Sequence, residues 1–374
     1  MKYVPRRQVF AWIICVAATA ACALPATAAS FEPLGQFWAV DVTDDGDSVV
    51  GTDNDAAAGG GQVIARWTPV TGVRTVAWAP YSEHTTAIAV SGDGSAIIGS
   101  DYNADAVYWT QAGGLRRLLP DEQPGLGGYA RAVSRDGRLV TGHFTLGRPF
   151  LWTAGAGAAP LPLPAGYDRG AGNAFSADGS VIAGTADDPY PRRAFRWTAA
   201  SGSTLLDQAP GIVGSDSTAI SADGSTVVGW AFGDDEISRP FRWTEAGGMQ
   251  VLGPLPGGTT TGSAADVSGD GSVVVGTASS GPLPGQARAF IWDESHGMRE
   301  LASVLASDYG LDLSGWTLLS AKAITPDGLT IVGQASHPQL GGNVAYRVVL
   351  PEPSGALATV GFLACLLRRR RARA

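Results

Sequence analysis

The sequence predicts an all-β protein, a seven-bladed β-propeller built from four-stranded blades, and three observations carry that expectation. A ten-residue phrase around an Asp-Gly pair occurs seven times without a gap: VTDDGDSVVG from Val42, VSGDGSAIIG from Val90, VSRDGRLVTG from Val133, FSADGSVIAG from Phe175, ISADGSTVVG from Ile220, VSGDGSVVVG from Val267 and ITPDGLTIVG from Ile324. The pairs start at Asp45, Asp93, Asp136, Asp178, Asp223, Asp270 and Asp327, with spacings of 48, 43, 42, 45, 47 and 57 residues. A tryptophan-ending strand follows each of the first six phrases, and a period of this length with short strands is the mark of a propeller blade.

Each phrase reads as a β-hairpin. Asp-Gly between two β-branched runs supplies the positive φ angles of a tight turn, and the Ser or Thr two residues before the Asp can bond the turn backbone. The third strand is IARWT at Ile64, AVYWT at Ala106, PFLWT at Pro149, AFRWT at Ala194, PFRWT at Pro240 and AFIWD at Ala289; the seventh copy, AYRVV at Ala345, has Val348 in place of Trp. A fourth strand follows a Gly-containing turn, clearest in GGLRRLL from Gly113 and GGMQVLG from Gly247. One such sheet cannot bury both faces, so the blades must stack about an axis. Trp67, Trp109, Trp152, Trp197, Trp243 and Trp292 are the expected wedges between neighbours.

The seventh repeat ends after its third strand. Phe31-Glu32-Pro33-Leu34-Gly35 reads like the fourth strand at Met249 to Gly253, so residues 31–35 are expected to complete the last blade and latch the ring, leaving no open edge. Pro33 is tolerable in an outermost strand. The long connection before the last hairpin explains the 57-residue spacing, and Arg299 to Ala306 within it reads as one or two helical turns.

The two ends carry targeting segments. Lys2, Arg6 and Arg7 precede an apolar run from Val9 to Leu24 and an Ala26-Thr27-Ala28 cleavage site, a secretory signal over residues 1–29 cut after Ala28 or Ala29 by signal peptidase following export by the Sec machinery. Residues 351–374 comprise Pro351, Glu352 and Pro353, an apolar stretch from Gly355 to Leu367, and the basic tail Arg368, Arg369, Arg370, Arg371 and Arg373. The apolar stretch falls short of the roughly 20 residues that span a bilayer as a helix. The arginines would nonetheless hold it at the cytoplasmic boundary, which suits transient inner-membrane anchoring; a permanent single-span anchor is the other reading. Short helices are expected in both segments, flanking the propeller of residues 30–350.

The order Pro-Glu-Pro, apolar helix, arginine cluster resembles the PEP-CTERM sorting signal. That resemblance implies recognition by an exosortase in a Gram-negative bacterium that makes exopolysaccharide, with loss of the tail near Pro351-Glu352-Pro353. The repeats resemble the HAF-type extracellular repeats, in which AFRWT, GG-hydrophobic-LG and S-x-DGS-V-V-G segments alternate; Leu311 to Trp316 falls within the same likeness. The family implies no assigned activity.

Of 26 basic residues three lie in the leader and five in the tail, against one of 34 acidic residues, so the body carries about −15 where the whole chain carries −8. This argues against nucleic acid and anionic membrane surfaces as partners. Cys15, Cys22 and Cys365 all fall in the targeting segments, so the body has no disulfide or thiolate chemistry.

Strand order puts the short 1–2 and 3–4 turns on one face and the variable 2–3 loops and blade connections on the other, where binding is expected. The candidate binding residues are Asp53, Asp55, Asp187, Asp188, Asp234, Asp235 and Glu236. Asp41, Asp44, Asp45 and Asp47 crowd one turn but do not match a D-x-D-x-D-G calcium loop, so no metal or cofactor is assigned. No H-E-x-x-H, G-x-S-x-G or P-loop occurs, and His84, His143, His296 and His337 read as surface or capping residues. Two functions follow: a non-catalytic surface or matrix propeller that binds exopolysaccharide or another surface protein, or a glycan-active hydrolase or lyase using carboxylates near the channel.

Overall fold

The seven Asp-Gly phrases form seven hairpins of one design. In the second, Ser91 Oγ donates to Asp93 Oδ1 at 2.6 Å and accepts from the Ala96 amide at 2.9 Å, while the same Asp oxygen accepts the Ser95 amide. The turn glycines alone are left-handed, from Gly94 at φ +70° to Gly328 at +75°. Each donates its N–H back to the Ser or Thr carbonyl. This corrects the expectation of positive φ through the Asp-Gly pair: the Asp stays in ordinary space because its side chain, held by the hydroxyl, organises a longer loop.

The computed structural model describes residues 28–352 apart from 56–59, 80–83, 102, 104, 120–126, 189 and 282–285. The leader, the C-terminal apolar stretch, Pro353 and the tail arginines lie outside the described residues. Among those described, no helix is long and apolar enough to cross a membrane.

Ala29–Leu350 is one compact unit of seven four-stranded antiparallel sheets. The first blade runs Trp38–Val42, Val49–Asp55, Gly61–Thr68 and Gly72–Ala77, from the axis outward. The innermost strands of the others are Thr85–Val90, Gly128–Val133, Arg169–Phe175, Gly214–Ile220, Gly262–Val267 and Thr317–Ile324. All seven carry a bulge at the same place, as between Ala39 and Asp41 or Ala130 and Ala132. The bulge turns a main-chain carbonyl toward the second strand, and the last glycine of each phrase makes room for it. A Cβ at Gly142 would stand 1.9 Å from the Tyr129 carbonyl oxygen, and one at Gly333 2.0 Å from that of Ser320.

Ring closure is as the N-terminal residues suggest. Ser30–Gly35 is the outermost strand of the seventh blade, antiparallel to Asn343–Val349, with Phe31 opposite Val348 and Pro33 opposite Tyr346. Phe31 packs edge-on against Trp316 at 5.2 Å and against Tyr346 at 5.8 Å.

The tryptophans wedge between blades. Trp67 packs with Val332 and Ala345 of the seventh blade, Trp152 with Ile98 and Tyr108 of the second, Trp243 with Val181 and Ala194 of the fourth, and Trp292 with Val228 and Leu252 of the fifth. Trp109 and Trp197 sit partly exposed against the first and third blades. Where Val348 replaces the indole, helix α1 (Leu301–Ser307) fills the gap with Leu301, Val304 and Leu305, beside Trp316. The extra length of the last repeat therefore supplies the volume its third strand lacks.

Candidate functional site

Two columns of the repeat meet at the mouth of the ring on the variable-loop face. The residue just after each phrase-ending glycine is Thr52, Ser100, His143, Thr185, Trp230, Thr277 or Gln334. Where it is threonine it can tie two blades together: Thr52 Oγ1 accepts the Ala87 amide at 3.0 Å, and Thr185 Oγ1 donates to Asp216 at 2.8 Å and accepts the Ser217 amide at 3.2 Å. The second column, on the inner strands, is Val40, Ile88, Arg131, Asn173, Thr218, Ala265 and Lys322. Of the three departures from the small hydroxyl residue in the first column, Gln334 and His143 line the two cavities of the mouth and Trp230 lies under Arg192.

The larger cavity, about 490 Å³, lies where the seventh blade meets the first and second, and is lined by Trp38, Thr52, Asp53, Asn54, Gln62, Gln334 and Asn343 among others. Trp38 is 47% exposed. Lys322, the body's only lysine, stands 5.9 Å from the Trp38 ring centroid, its pKa lowered by burial. Gln334 is buried, donates to the Phe37 carbonyl at 3.3 Å, and leaves its Oε1 without a partner. Gln36 is held by the Leu340 and Gly341 carbonyls at 2.7 and 2.6 Å. Among the described residues Asp53 is the one carboxylate of this lining.

The smaller cavity, about 230 Å³, lies among the third, fourth and fifth blades and is lined by Arg131, His143, Arg169, Asn173, Thr185, Asp187, Arg192 and Asp216 with Gly147, Gly170 and Ala171. Arg192 bridges Asp216 at 3.0 Å and Asp187 at 3.4 Å, and lies over the Trp230 ring at 5.6 Å. Burial raises the Asp216 pKa against the pull of Thr185 and Arg192. His143 stacks on Tyr129 at 4.9 Å, and burial, with the charge of Arg131, pushes its pKa down to about 4. This corrects its reading as a surface or capping residue. His296 lies on the surface with its Nδ1 2.8 Å from the Asp293 carboxylate that caps its turn, and His337 packs on Trp316.

Of the acidic loop residues, Asp53 and Asp187 reach the cavities. Asp188 leans on Arg169 at 3.8 Å, and Asp235 is clamped by Arg239, Nη1 to Oδ1 at 2.9 Å. Asp234 is exposed, Glu236 takes φ +56°, and Asp55 pairs with Gly61 through the backbone.

At the far end of the channel hairpins of neighbouring blades are linked through the backbone. The Asp44, Ala177, Ala222 and Gly269 amides donate to the Gly92, Ala222, Gly269 and Pro326 carbonyls of the next blade, at 2.8–3.0 Å. Behind them a cavity of about 190 Å³ holds Asp41 and Asp266. Asp41 accepts the Val42 and Val90 amides, Asp266 those of Val267 and Ile324, all at 2.8–2.9 Å. Burial chiefly pushes their pKa values up to about 6 and about 7. The crowded aspartates thus point different ways: Asp45 organises its turn, Asp44 pairs with Arg135, Asp47 meets Arg347 and Asp41 links two blades. Among the described residues no group of three or more His, Cys, Asp or Glu side chains is placed to hold a metal ion.

No family model and no curated protein matches the sequence. Among solved structures the chain is similar to oligogalacturonate lyase from Vibrio parahaemolyticus (11% identity, TM-score 0.57, covering 87% of this chain and 98% of that one). It is similar also to the β-propeller domain of Cps50 (Swd1) from Myceliophteria thermophila (14%, 0.51, 85% and 98%). TolB from Acinetobacter baumannii matches at 15% and 0.46 over 67% of this chain, which spans 62% of the TolB chain. Identities this low speak to fold alone. By fold the chain is a seven-bladed β-propeller with four-stranded antiparallel blades.

Proposed function

We propose that this chain is an exported, non-catalytic surface or matrix propeller whose variable-loop face binds glycan. The Trp38 cavity carries the reading. An exposed indole offers an apolar platform to the C–H face of a sugar ring. Side-chain amides both donate and accept, which matches the hydroxyl groups around that ring. Asn54, Gln62, Gln334 and Asn343 surround the platform, and the unpartnered Oε1 of Gln334 is an acceptor waiting for a hydroxyl. Among the described residues Asp53 is the one carboxylate of this lining, where glycoside hydrolysis uses an acid and base pair.

Export and sorting rest on the residues at the ends: the Ala28 and Ala29 cleavage site lies directly before the latch strand at Ser30, and the PEP-CTERM-like tail follows Leu350. An exosortase and the host's exopolysaccharide are the proposed partners. Affinity electrophoresis of the purified body in gels containing that polysaccharide tests the reading. Retardation is expected, with no release of reducing ends. Trp38→Ala should weaken it by an order of magnitude; undiminished retardation in that variant removes the cavity from the binding site, and reducing-end release converts the protein into the glycan-active enzyme.

A further inference from the structure

The smaller cavity has a different chemistry from the Trp38 cavity and argues for a different ligand. The body is strongly acidic, yet three arginines line this one small space. Two of them are engaged: Arg192 by Asp187 and Asp216, and Arg169 by Asp188. Arg131 is exposed and makes no ion pair among the described residues. Its charge is felt by His143, which stays neutral beside it, and at longer range by the Asp216 carboxylate. A guanidinium at a ring mouth that no described carboxylate pairs directly is the group an incoming carboxylate would meet, in the two-pronged geometry that a guanidinium favours.

We propose that this cavity is a second binding site, taking the carboxylate-bearing ring of an acidic sugar, with Arg131 as the residue that receives the charge. The neighbouring groups suit the remaining hydroxyls. Asn173 donates its amide to Thr185 and to the Ser217 carbonyl at 3.0 and 2.8 Å, leaving its own carbonyl oxygen as an acceptor. Asp187 is a second acceptor, and the buried Nδ1 of His143 has no partner. The exposed ring of Tyr129, held flat on His143, lies beside them.

Size and field narrow the ligand. At about 230 Å³ the cavity is smaller than the roughly 300–1,000 Å³ of drug-sized sites and holds a single sugar ring. The body's net charge of about −15 repels a densely charged chain. The fit is therefore a glycan in which uronate residues are spaced among neutral ones, rather than an acidic peptide. The site does not depend on the Trp38 reading: it is tested with glucuronate and Arg131 variants, whereas that reading stands or falls with Trp38→Ala.

Ligand-observed NMR titration of the protein purified from its host, with D-glucuronate, D-glucose, acetate and an oligo-aspartate peptide as probes, tests this. Glucuronate should bind, with glucose, acetate and the peptide at least tenfold weaker. Arg131→Gln should weaken glucuronate at least tenfold, and Arg131→Lys, which keeps the charge, should recover part of that loss. Should Arg131→Gln fail to fold, Arg131→Lys decides alone: binding weakened without loss of thermal stability supports the site, and unchanged binding opposes it. Equal affinity for glucuronate and acetate, or tighter binding of the peptide, would overturn the proposal.

Discussion

Arg347 donates its Nε–H to the main-chain carbonyl of Gly46 at 2.8 Å, joining the seventh blade to the first across the seam of the ring. The same reach recurs from the position before the wedge tryptophan to the turn glycine of the next blade. Arg196 meets Gly224 at 2.9 Å and Arg242 meets Gly271 at 3.0 Å. Arg66 Nη1 meets Gly94 at 3.3 Å, and the Tyr108 hydroxyl meets Gly137 at 2.9 Å. The left-handed glycine thus serves twice, closing its own turn and offering a carbonyl to the neighbouring blade. Arg347 and Arg242 also lie over the wedges Trp67 and Trp292, at 5.7 and 5.9 Å, so one side chain combines hydrogen bond and stacking.

Replacing Arg347 should therefore weaken ring closure. Hydrogen bonds from charged donors contribute about 1.5–3 kcal/mol, and Arg347→Ala removes one from a largely buried position, along with its contacts to Glu32 and Asp47. We expect a loss of about 2–3 kcal/mol in urea unfolding at unchanged m. Arg347→Lys, which keeps charge but loses the Nε direction, should recover less than half of it. An unchanged midpoint in Arg347→Ala would show that the seam is held by strand pairing alone.

The phrase-ending glycines should tolerate nothing larger. Gly142→Ala drives a methyl group into the Tyr129 carbonyl, and the bulge it must displace is shared with the inner strand of the blade. A cost of about 2–4 kcal/mol is expected, in the range of other overpacked sites. Gly114→Ala is the comparison: it is left-handed at φ +63° but nothing stands within 4 Å, so it should cost only about 1–2 kcal/mol. Equal losses in the two variants would mean that backbone conformation, and not the close approach, sets the glycine requirement.

The architecture was legible in the sequence because every blade solves one problem with one set of residues. The hairpins, the wedge column, the latch at Phe31 to Gly35 and the helix after Arg299 each repeat a pattern or visibly break one. The mouth was legible only as a region. Asp187 lines a cavity on the variable-loop face, but that cavity is built with Arg131, His143 and Asp216 from other blades, and contact between repeats leaves no local spacing to read. Loop charge also misled: Asp235 meets Arg239 four residues on, whereas the informative signals were the single breaks from Thr and Ser at His143, Trp230 and Gln334.

Removing the latch should expose what it covers. Without residues 30–35 the strand Asn343–Val349 becomes a free edge, and Tyr346 and Trp316 lose the Phe31 ring packed against them. A bare strand edge beside apolar surface promotes pairing with another chain. The truncated protein should unfold at lower temperature and form concentration-dependent oligomers in light scattering. Phe31→Ala, which keeps the strand, should lower stability by less than the ~3–5 kcal/mol typical of a fully buried phenylalanine, because Phe31 is only partly buried, and should not oligomerise. A monodisperse truncated monomer would show that the N-terminal strand is dispensable for closure.

Asp41 and Asp266 should make the ring more stable in mild acid than near neutrality. Their folded-state pKa values, about 6 and about 7, lie above the ordinary value of 3.8, so the folded protein holds these protons more tightly than the unfolded chain. The stability they contribute is complete below about pH 4 and is lost as pH rises through 6 to 7. The turn aspartates act oppositely: Asp178, lowered to about 2 by the Ser176 and Ser180 hydrogen bonds, contributes above pH 4 and loses that contribution as pH falls toward 2. Between these limits the two channel aspartates, two protons held by the folded state, outweigh His143, whose pKa lowered to about 4 opposes them with one proton below about pH 6.5. Each aspartate contributes up to about 1.4 kcal/mol per pH unit while it is protonated only in the folded state. Urea unfolding of the purified body at half-unit steps from pH 4 to 8 should thus show stability falling with pH. Asp266→Asn, which cannot ionise, should flatten that fall by about one proton's worth. A wild-type profile level across the window, or an Asp266→Asn slope equal to it, would show that the paired backbone amides hold both carboxylates ionised throughout.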